Sequence, residues 1–347
     1  FAVTNSQDIR NDMHQTRSLP LVRLSLIQPF VDELDRLRVD TDAILTANGL
    51  ARVSVTYPSI FVPIVVINRF LENAAALAGD PYLGIHVGEK LDIAAWPPFI
   101  EAVSSAATLG EFFLHFIQAA QHEASTAHHL LEAGAVYSHF REVRTCKQEI
   151  TPAQNDGFTL AYCLRLLRLG AGTRWQSDKV RATVSDPAAV PKNYQSVTVL
   201  GGGPMGIDLR FPTTWLLQAI DPSAMMKGLK KSSADLQIPV DFRDALHQVI
   251  KFSLDNPKLD VALVARLSGI SLQVLQRKLR AVGTNISREI NSIKEQRACK
   301  LLTETDKPVA AIATEVGFTN ATSFTRAFKS WTGESPRDYR RNTKHST

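Results

Sequence analysis

The spacing of apolar positions divides the chain into a mixed part and a helical part. In VVINRFLENAAALA (65–78) apolar residues recur at helical spacing up to Gly79, and TLGEFFLHFIQAAQ repeats the pattern with Phe112 and Phe116 on one face. Shorter alternating runs, AVYSHFREV and KVRATV, predict strands. VTVLGGGPMGIDLRFP predicts two short strands joined by a glycine-rich turn. Residues 19–220 are therefore predicted to form an α+β domain.

The remaining segments differ in pattern. Residues 1–18 are a polar tail, and 221–240 hold paired Ser, paired Lys, Gly and Pro, which are typical of a linker. Residues 241–347 are predicted to be all-α, because helical periods there are interrupted only by short Gly, Pro and Asn breaks.

An internal repeat organises the helical part. VALVARLSGISLQVLQRKLRAVG (261–283) aligns with VAAIATEVGFTNATSFTRAFKSWTG (309–333) when one residue is inserted. Each copy reads as a short helix, a turn at Gly269 or Gly317, a capping residue and a second helix. The predicted caps are Ser271 in the first copy and Thr319 or Asn320 in the second. This arrangement predicts two helix-turn-helix motifs, joined by a long helix at 287–304.

The second helix of each copy has an apolar face and a polar face. The residues predicted to point inward are Leu272, Leu275, Leu279 and Val282 in the first copy, and Phe324, Ala327, Phe328 and Trp331 in the second. Those predicted to point outward are Gln273, Gln276, Arg277 and Arg280, and Thr322, Arg326 and Lys329.

The outward residues match the chemistry of DNA base edges. Arg pairs with guanine, Gln pairs with adenine, and a Thr methyl contacts the thymine methyl in a major groove that admits a helix. Two such helices on one side of a domain would lie about one turn of DNA apart, roughly 34 Å. An ordinary solvated face is the alternative for either helix alone, and the repetition argues against it.

Charge separates the same two parts. Residues 241–347 carry 18 Lys and Arg against 11 Asp and Glu, whereas the first 240 residues carry a small net negative charge. The overall net charge of +5 therefore conceals a basic C-terminal third, which suggests an anionic partner or a solubilising surface.

Other chemistry is weakly indicated. Five histidines cluster between His115 and His139 without the spacing of a metal site, and GGGPMG (201–206) lacks the residues of a phosphate loop. We therefore expect no metal, no cofactor and no catalytic site. The three cysteines are widely separated, and no apolar run is long enough for a membrane span, so a cytoplasmic location is expected.

The spaced motifs LSGISLQVLQRKLRAVGT, IKEQRACKLL and VAAIATEVGFTNATSFTRAFKSWTGESPRDYR resemble the DNA-binding domain of AraC-type transcription regulators. The resemblance implies base-facing side chains on both second helices: Gln273, Gln276 and Arg277, and Thr322, Thr325 and Arg326. Upstream, AAALAGDPYLGIHVGEKL, SSAATLGEFFLHF and GTRWQSDKVRATVSDP resemble the arabinose-binding-like regulatory domain of one AraC subgroup. That likeness implies effector control and dimerisation, with a ligand that differs between members.

An effector pocket would be lined by apolar and aromatic side chains. The candidate lining residues are Trp96, Phe99, Phe112, Phe116, Tyr137 and Phe140, for each of which simple core packing is the alternative.

The sequence thus predicts a DNA-binding transcription regulator, an activator on family grounds. Its expected partners are double-stranded DNA, a small-molecule effector, RNA polymerase and a second copy of the chain, with no membrane. Two alternatives stay open at this point: the N-terminal domain serves only for dimerisation, or it is an enzyme with a DNA-binding appendix.

Overall fold

The structure is a computed structural model that describes residues 19–50, 52–55, 60–92, 97–221, 241–254 and 259–344. It divides into two compact units, with the boundary between Asp241 and Phe242. The predicted tail at 1–18 and nearly all of the predicted linker lie outside the described residues. Among the described helices, none is long and apolar enough to cross a lipid bilayer.

The first unit contains eight helices and seven strands within the described residues. Its helices are α1 (Gln28–Arg36), α2 (Thr41–Ala47), α3 (Arg52–Val55), α4 (Ile64–Ala78), α5 (Leu83–Lys90), α6 (Pro97–Ser104), α7 (Leu109–Ala120) and α8 (Ala153–Ala171). Its strands are β1 (Leu21–Arg23), β2 (Phe61–Pro63), β3 (Ala127–Ala133), β4 (Tyr137–Arg144), β5 (Arg181–Val184), β6 (Thr198–Gly201) and β7 (Gly206–Pro212). Short 3-10 turns complete it, among them Leu24–Ile27 and Thr213–Leu217.

A five-stranded sheet in the order β3-β4-β7-β5-β6 forms the centre of this unit. All neighbours are antiparallel except β5 and β6, which are parallel. The two strands predicted on either side of the glycine-rich turn are confirmed as β6 and β7. They do not pair with each other, because β5 lies between them.

Helix α7 covers one face of the sheet with aromatic side chains. Phe113 packs against Phe140 on β4 and Phe211 on β7, with ring centroids 4.9 and 6.0 Å apart. Phe112 and Phe116 stack on the same helix, and all five rings are buried. The alternation along β4, in which Ser138, Phe140, Glu142 and Arg144 are buried, places two charged side chains on this covered face.

Helix α8 lies at the middle of the unit and is buried on most of its circumference. Helix α5 approaches it closely at two glycines. A side chain at Gly84 would meet the carbonyl oxygen of Gln154 at 2.0 Å, and one at Gly88 would meet that of Phe158 at 2.7 Å. The absence of side chains at these two positions therefore fixes how near α5 can lie to α8.

The second unit is entirely helical in its described part. Its helices are α9 (Phe242–Phe252), α10 (Val261–Leu267), α11 (Leu272–Ala281), α12 (Ile286–Glu304), α13 (Val309–Glu315), α14 (Ala321–Thr332) and α15 (Pro336–Lys344). Helices α10 and α11 form the first helix-turn-helix, α13 and α14 form the second, and α12 joins them. The predicted fold class, an α+β unit followed by an all-α unit with two such motifs, is confirmed.

The predicted inward face of α11 was wrong at both ends of the helix. Leu275 and Leu279 are buried, but Leu272 and Val282 are 40% and 49% exposed. Leu272 is the first residue of α11 and Val282 is its C-cap, so both lie outside the central turns of the helix, which pack against the rest of the unit. On α14, Phe324 and Phe328 are fully buried, while Ala327 and Trp331 are partly buried.

Candidate nucleic-acid interface and cavity

The turn of the first motif is built by backbone geometry and one cap. Gly269 takes the left-handed conformation (φ 64°) after α10. The hydroxyl of Ser271 then accepts a hydrogen bond from the amide of Val274, as predicted. On the helix that follows, all four predicted DNA-contacting residues are exposed: Gln273, Gln276, Arg277 and Arg280.

The second motif repeats this construction with a different cap. Of the two predicted candidates, Asn320 is the residue whose side chain accepts from the amide of Ser323, at 2.8 Å. Thr322, Arg326 and Lys329 are exposed on α14. Thr325 is partly buried, and its hydroxyl donates to the carbonyl of Ala321 at 2.8 Å, which leaves the methyl group as its free contact surface.

Several cations elsewhere in the unit are paired with carboxylates. On and next to α12, Arg297 and Lys307 both pair with Glu315, at 3.1 and 2.6 Å. In contrast, four cations form no ion pair with any carboxylate of the described residues: Arg277, Arg280, Arg326 and Lys329. Their charge is available to an external anion.

A buried carboxylate holds the first motif to its support. Glu289, near the start of α12, is 1% exposed. It accepts from His247 at 2.6 Å and Arg243 at 3.1 Å, both on α9, and from the hydroxyl of Thr284 at 2.6 Å, just after α11. Although burial alone would raise the pKa of Glu289, these hydrogen bonds lower it to about 2.

The turn of the second motif contacts both α9 and α12. Gly317 has φ 75°, and a side chain there would lie 2.4 Å from the carbonyl oxygen of Leu254, which follows α9. From α12, the Lys294 ammonium donates to the carbonyl of Gly317 at 3.2 Å and lies 4.6 Å from the ring centroid of Phe318. Burial lowers the pKa of Lys294. The two motifs are thus tied together through α9 and α12.

A cavity of about 110 Å³ lies in the first unit, between its N-terminal helices and the sheet. Helix α4 contributes Ile64, Ile67 and Leu71 at one-face spacing, and α8 contributes Asn155, Phe158, Thr159 and Tyr162 at the spacing i, i+3, i+4, i+7. The remaining lining side chains come from the β1 region, α1, α7 and the inner face of β3 and β4. They are Val22, Leu26, Ile27, Phe30, Phe116, Ala120, Glu123, Ala124, Thr126, Ala127, His129 and Glu142.

Two buried carboxylates lie in this lining. Glu123 accepts from the Arg23 side chain at 2.7 Å. Glu142 lies 3.6 Å from both His129 and Arg144, and Arg144 also pairs with Asp156 behind it. Burial opposes ionisation of Glu142, but His129 and Arg144 hold its pKa below the ordinary value. The cavity is therefore apolar with a few convergent polar groups, as ligand pockets are.

Two family descriptions match the chain, one in each unit. Residues 264–342 match "Helix-turn-helix domain", and residues 39–198 match "Arabinose-binding domain of AraC transcription regulator, N-term". The chain belongs to the AraC-type transcription regulators. It is accordingly a DNA-binding transcription regulator with an effector-binding N-terminal domain, as the sequence predicted.

This AraC-type regulator aligns with two relatives and with one solved structure. The chain is 25% identical to the ornithine utilization regulator of Pseudomonas aeruginosa, over 92% of this chain and 96% of the relative. It is 29% identical to the transcriptional activator NphR of a Rhodococcus species, over 34% of this chain and 36% of that protein. Among solved structures, the regulator CdpR of P. aeruginosa aligns with 91% of this chain and 98% of its own, at 18% identity and a TM-score of 0.40.

The predicted effector residues of this AraC-type regulator lie in different places. Phe116 lines the cavity, and Phe140 stacks on the lining residue His129 with ring centroids 5.9 Å apart. Phe99 and Phe112 are buried in the core, whereas Tyr137 lies under the guanidinium of Arg210. Trp96 lies outside the described residues.

Sequence reasoning missed most of the cavity lining and the Glu289 network. A signal for the cavity was present in α8, where Asn155, Thr159 and Tyr162 put polar atoms on one face of a long helix rich in apolar residues. Glu289 gave no such signal, because a carboxylate in the first turn of a helix is ordinarily a solvent-exposed residue that favours the helix dipole.

Proposed function

We propose that this chain is a sequence-specific transcriptional activator whose binding to DNA is controlled by a small molecule held in the cavity of its first unit. The observation that carries the DNA-binding part is the pair of exposed helices, α11 and α14, on which four cations have no carboxylate partner among the described residues. Cations kept free of internal ion pairs lose no protein contact when they meet phosphate or a base edge.

The two helices have unequal parts in this proposal. Helix α11 presents Gln273, Gln276 and Arg277, whose amides and guanidinium match adenine and guanine in the major groove. Helix α14 presents Arg326 for a base and Lys329 for phosphate, while Thr322 and Thr325 offer methyl groups to thymine. Arg280, one turn beyond Gln276, is assigned to the DNA backbone. Most of the base specificity then comes from the first motif.

Effector control is assigned to the cavity because it has the apolar walls and sparse polar groups of a ligand site. The name of the relative that regulates ornithine utilization supports control by a small metabolite. A coupling of about 1–3 kcal/mol between cavity and DNA would change operator affinity about 5- to 150-fold. The proposal includes a homodimer that acts in the cytoplasm on RNA polymerase.

The test begins by selecting genomic fragments that the full chain binds, which supplies an operator. Fluorescence anisotropy then measures affinity for the operator and for random DNA over a range of salt concentrations. Arg277→Ala is expected to weaken operator binding by about 1–3 kcal/mol and to relax the preference at one base pair. Lys329→Ala is expected to weaken binding to both DNAs alike and to reduce the salt slope by about one.

Lys300→Ala is the matched control, since Lys300 is an exposed cation of the same unit that lies on α12 rather than on either DNA-contacting helix. Its effect on operator affinity should be small. Equal losses on operator and random DNA for Arg277→Ala would contradict the base-reading role, and failure to select any DNA would contradict the function itself.

A further inference from the structure

The charged groups around the cavity are unevenly placed. Among its lining residues, all of which are described, the carboxylates are Glu123 and Glu142, and the basic side chain is His129. The two arginines that pair with these carboxylates, Arg23 and Arg144, are not part of the lining. A molecule in the cavity therefore meets the carboxylate of each arginine–carboxylate pair, and it meets no arginine or lysine.

The charges do not balance on the Glu142 side. Arg144 is the shared partner of two buried carboxylates, Glu142 and Asp156. With both carboxylates ionised, the single positive charge of Arg144 balances only one of them. Burial raises the pKa of Asp156 against the opposing effect of Arg144, as expected for a carboxylate whose charge is incompletely compensated. An uncompensated charge in such a site favours a cationic ligand.

Two further polar groups in the lining lack partners. Thr126 is 9% exposed, and its hydroxyl makes no hydrogen bond to any described residue. The amide of Asn155 is likewise without a partner among the described residues. Asn155 is half-buried, and both side chains line the cavity, so both can hydrogen-bond to a ligand there.

The size of the cavity limits what can enter. A cavity of about 150 Å³ holds benzene, and the one here measures about 110 Å³. A compact molecule of about six non-hydrogen atoms therefore matches this volume. Most of its surface would lie against aliphatic and aromatic side chains, including Ile64, Ile67 and Phe158.

We propose that the cavity binds a small aliphatic amine, with its ammonium group against Glu123 and Glu142 and its alkyl part among the apolar residues. This inference rests on the proposed effector role of the cavity and adds the class of ligand. A ligand that also carries a carboxylate, as an amino acid does, would bring a second anion against two buried carboxylates with no arginine or lysine to receive it. The cavity thus discriminates against amino acids in favour of monoamines.

The experiment compares three ligands with the same branched five-carbon skeleton on the full chain by isothermal titration calorimetry, without DNA: 3-methylbutylamine, 3-methylbutan-1-ol and 3-methylbutanoate, with ornithine as a fourth probe. The amine is expected to bind at least about tenfold more tightly than the alcohol, and the carboxylate and ornithine more weakly still. Since this comparison uses the wild-type protein, it holds even if a cavity variant fails to fold.

Two variants test whether the ammonium group contacts Glu142. Glu142→Gln keeps the shape of the side chain and should weaken amine binding about tenfold or more. Glu132→Gln is the control, because Glu132 is a half-exposed carboxylate on β3 that pairs with Arg141 and does not line the cavity. It should leave the affinity within about twofold. Undetectable amine binding, equal binding of amine and alcohol, tighter binding of the acid or ornithine, or an unchanged affinity in Glu142→Gln would overturn the inference.

Failure of the proposed function can be distinguished from failure of the proposed ligand class. The calorimetry contains no DNA, so loss of operator binding cannot affect it. If the amine binds but operator affinity stays the same with and without it, the ligand class stands and effector control through this cavity does not. If another metabolite changes operator affinity while the amine fails to bind, effector control stands and the ligand class is wrong.

Discussion

Replacing Glu289 with Gln tests whether one buried carboxylate holds the first helix-turn-helix in place. Glu289 accepts hydrogen bonds from α9 and from Thr284, just after α11, so it joins α11 to the rest of the unit. Gln keeps the size of the side chain and removes its charge. The variant therefore isolates the electrostatic part of the network from packing.

The magnitude follows from the pKa of Glu289, which falls from 4.5 to about 2 in the folded protein. At 1.36 kcal/mol per unit, the charged form is stabilised by about 3 kcal/mol. Because the folded-state pKa is the lower one, this stabilisation is complete above pH 4.5 and is lost as the pH falls towards 2. Glu289→Gln should thus lower the free energy of unfolding by up to about 3 kcal/mol at pH 7 and by progressively less below pH 4.5.

Urea unfolding of the full chain, followed by circular dichroism at several pH values, measures the difference between wild type and variant. Subtracting the unfolding free energy of the variant from that of the wild type at each pH cancels the contribution of the other carboxylates. Hydrogen exchange of peptides from Ile286–Glu304 at pH 7 shows whether the loss is located in α12. Glu304→Gln, an exposed carboxylate 3.9 Å from Lys300 on the same helix, should change stability by about 0.5 kcal/mol or less. A loss below about 1 kcal/mol, or a difference that is the same at pH 7 and pH 3, would refute the reasoning.

Two other substitutions probe backbone and buried charge. Gly317→Ala should lower the free energy of unfolding by at least about 1–2 kcal/mol, because the left-handed backbone disfavours a side chain and the carbonyl of Leu254 occupies the space. Thermal unfolding measures this loss. An unchanged melting temperature would contradict the close approach of Gly317 to Leu254. Arg144→Met should cost about 3–5 kcal/mol by removing the arginine partner of two buried carboxylates, as measured by urea unfolding. Arg141→Met on the exposed face of the same strand should cost about 1 kcal/mol or less, and equal losses for the two arginines would contradict the burial argument.

Local sequence signals predicted the helical unit in detail. Gly269 and Gly317 end their helices in the left-handed conformation, and Ser271 caps the next helix as expected. These features depend on residues a few positions apart, so a single sequence contains them. The error at Leu272 and Val282 arose because helical periodicity gives the direction of a side chain but not where its neighbouring helices end.

Features formed between distant segments could not be predicted in the same way. The cavity gathers residues from Val22 to Tyr162, and its charge pattern depends on which side of each ion pair faces inward. The sheet order places β5 between β6 and β7, although only a glycine-rich turn separates the latter two in sequence. Aromatic residues such as Phe99 and Phe112 occur both in ligand pockets and in protein cores, so only the assembled structure shows that these two belong to the core.

The contacts of Gly317 with Leu254 and Lys294 bear on the operator. If α9 and α12 hold both motifs as one rigid body, the two stretches of DNA that they touch must keep a constant helical phase. One extra base pair between those stretches would rotate the second by about 34–36° around the duplex axis. If the two motifs cannot move relative to each other, the protein would then have to release one contact or untwist the DNA. Operator affinity should therefore depend on spacer length as strongly as on base identity.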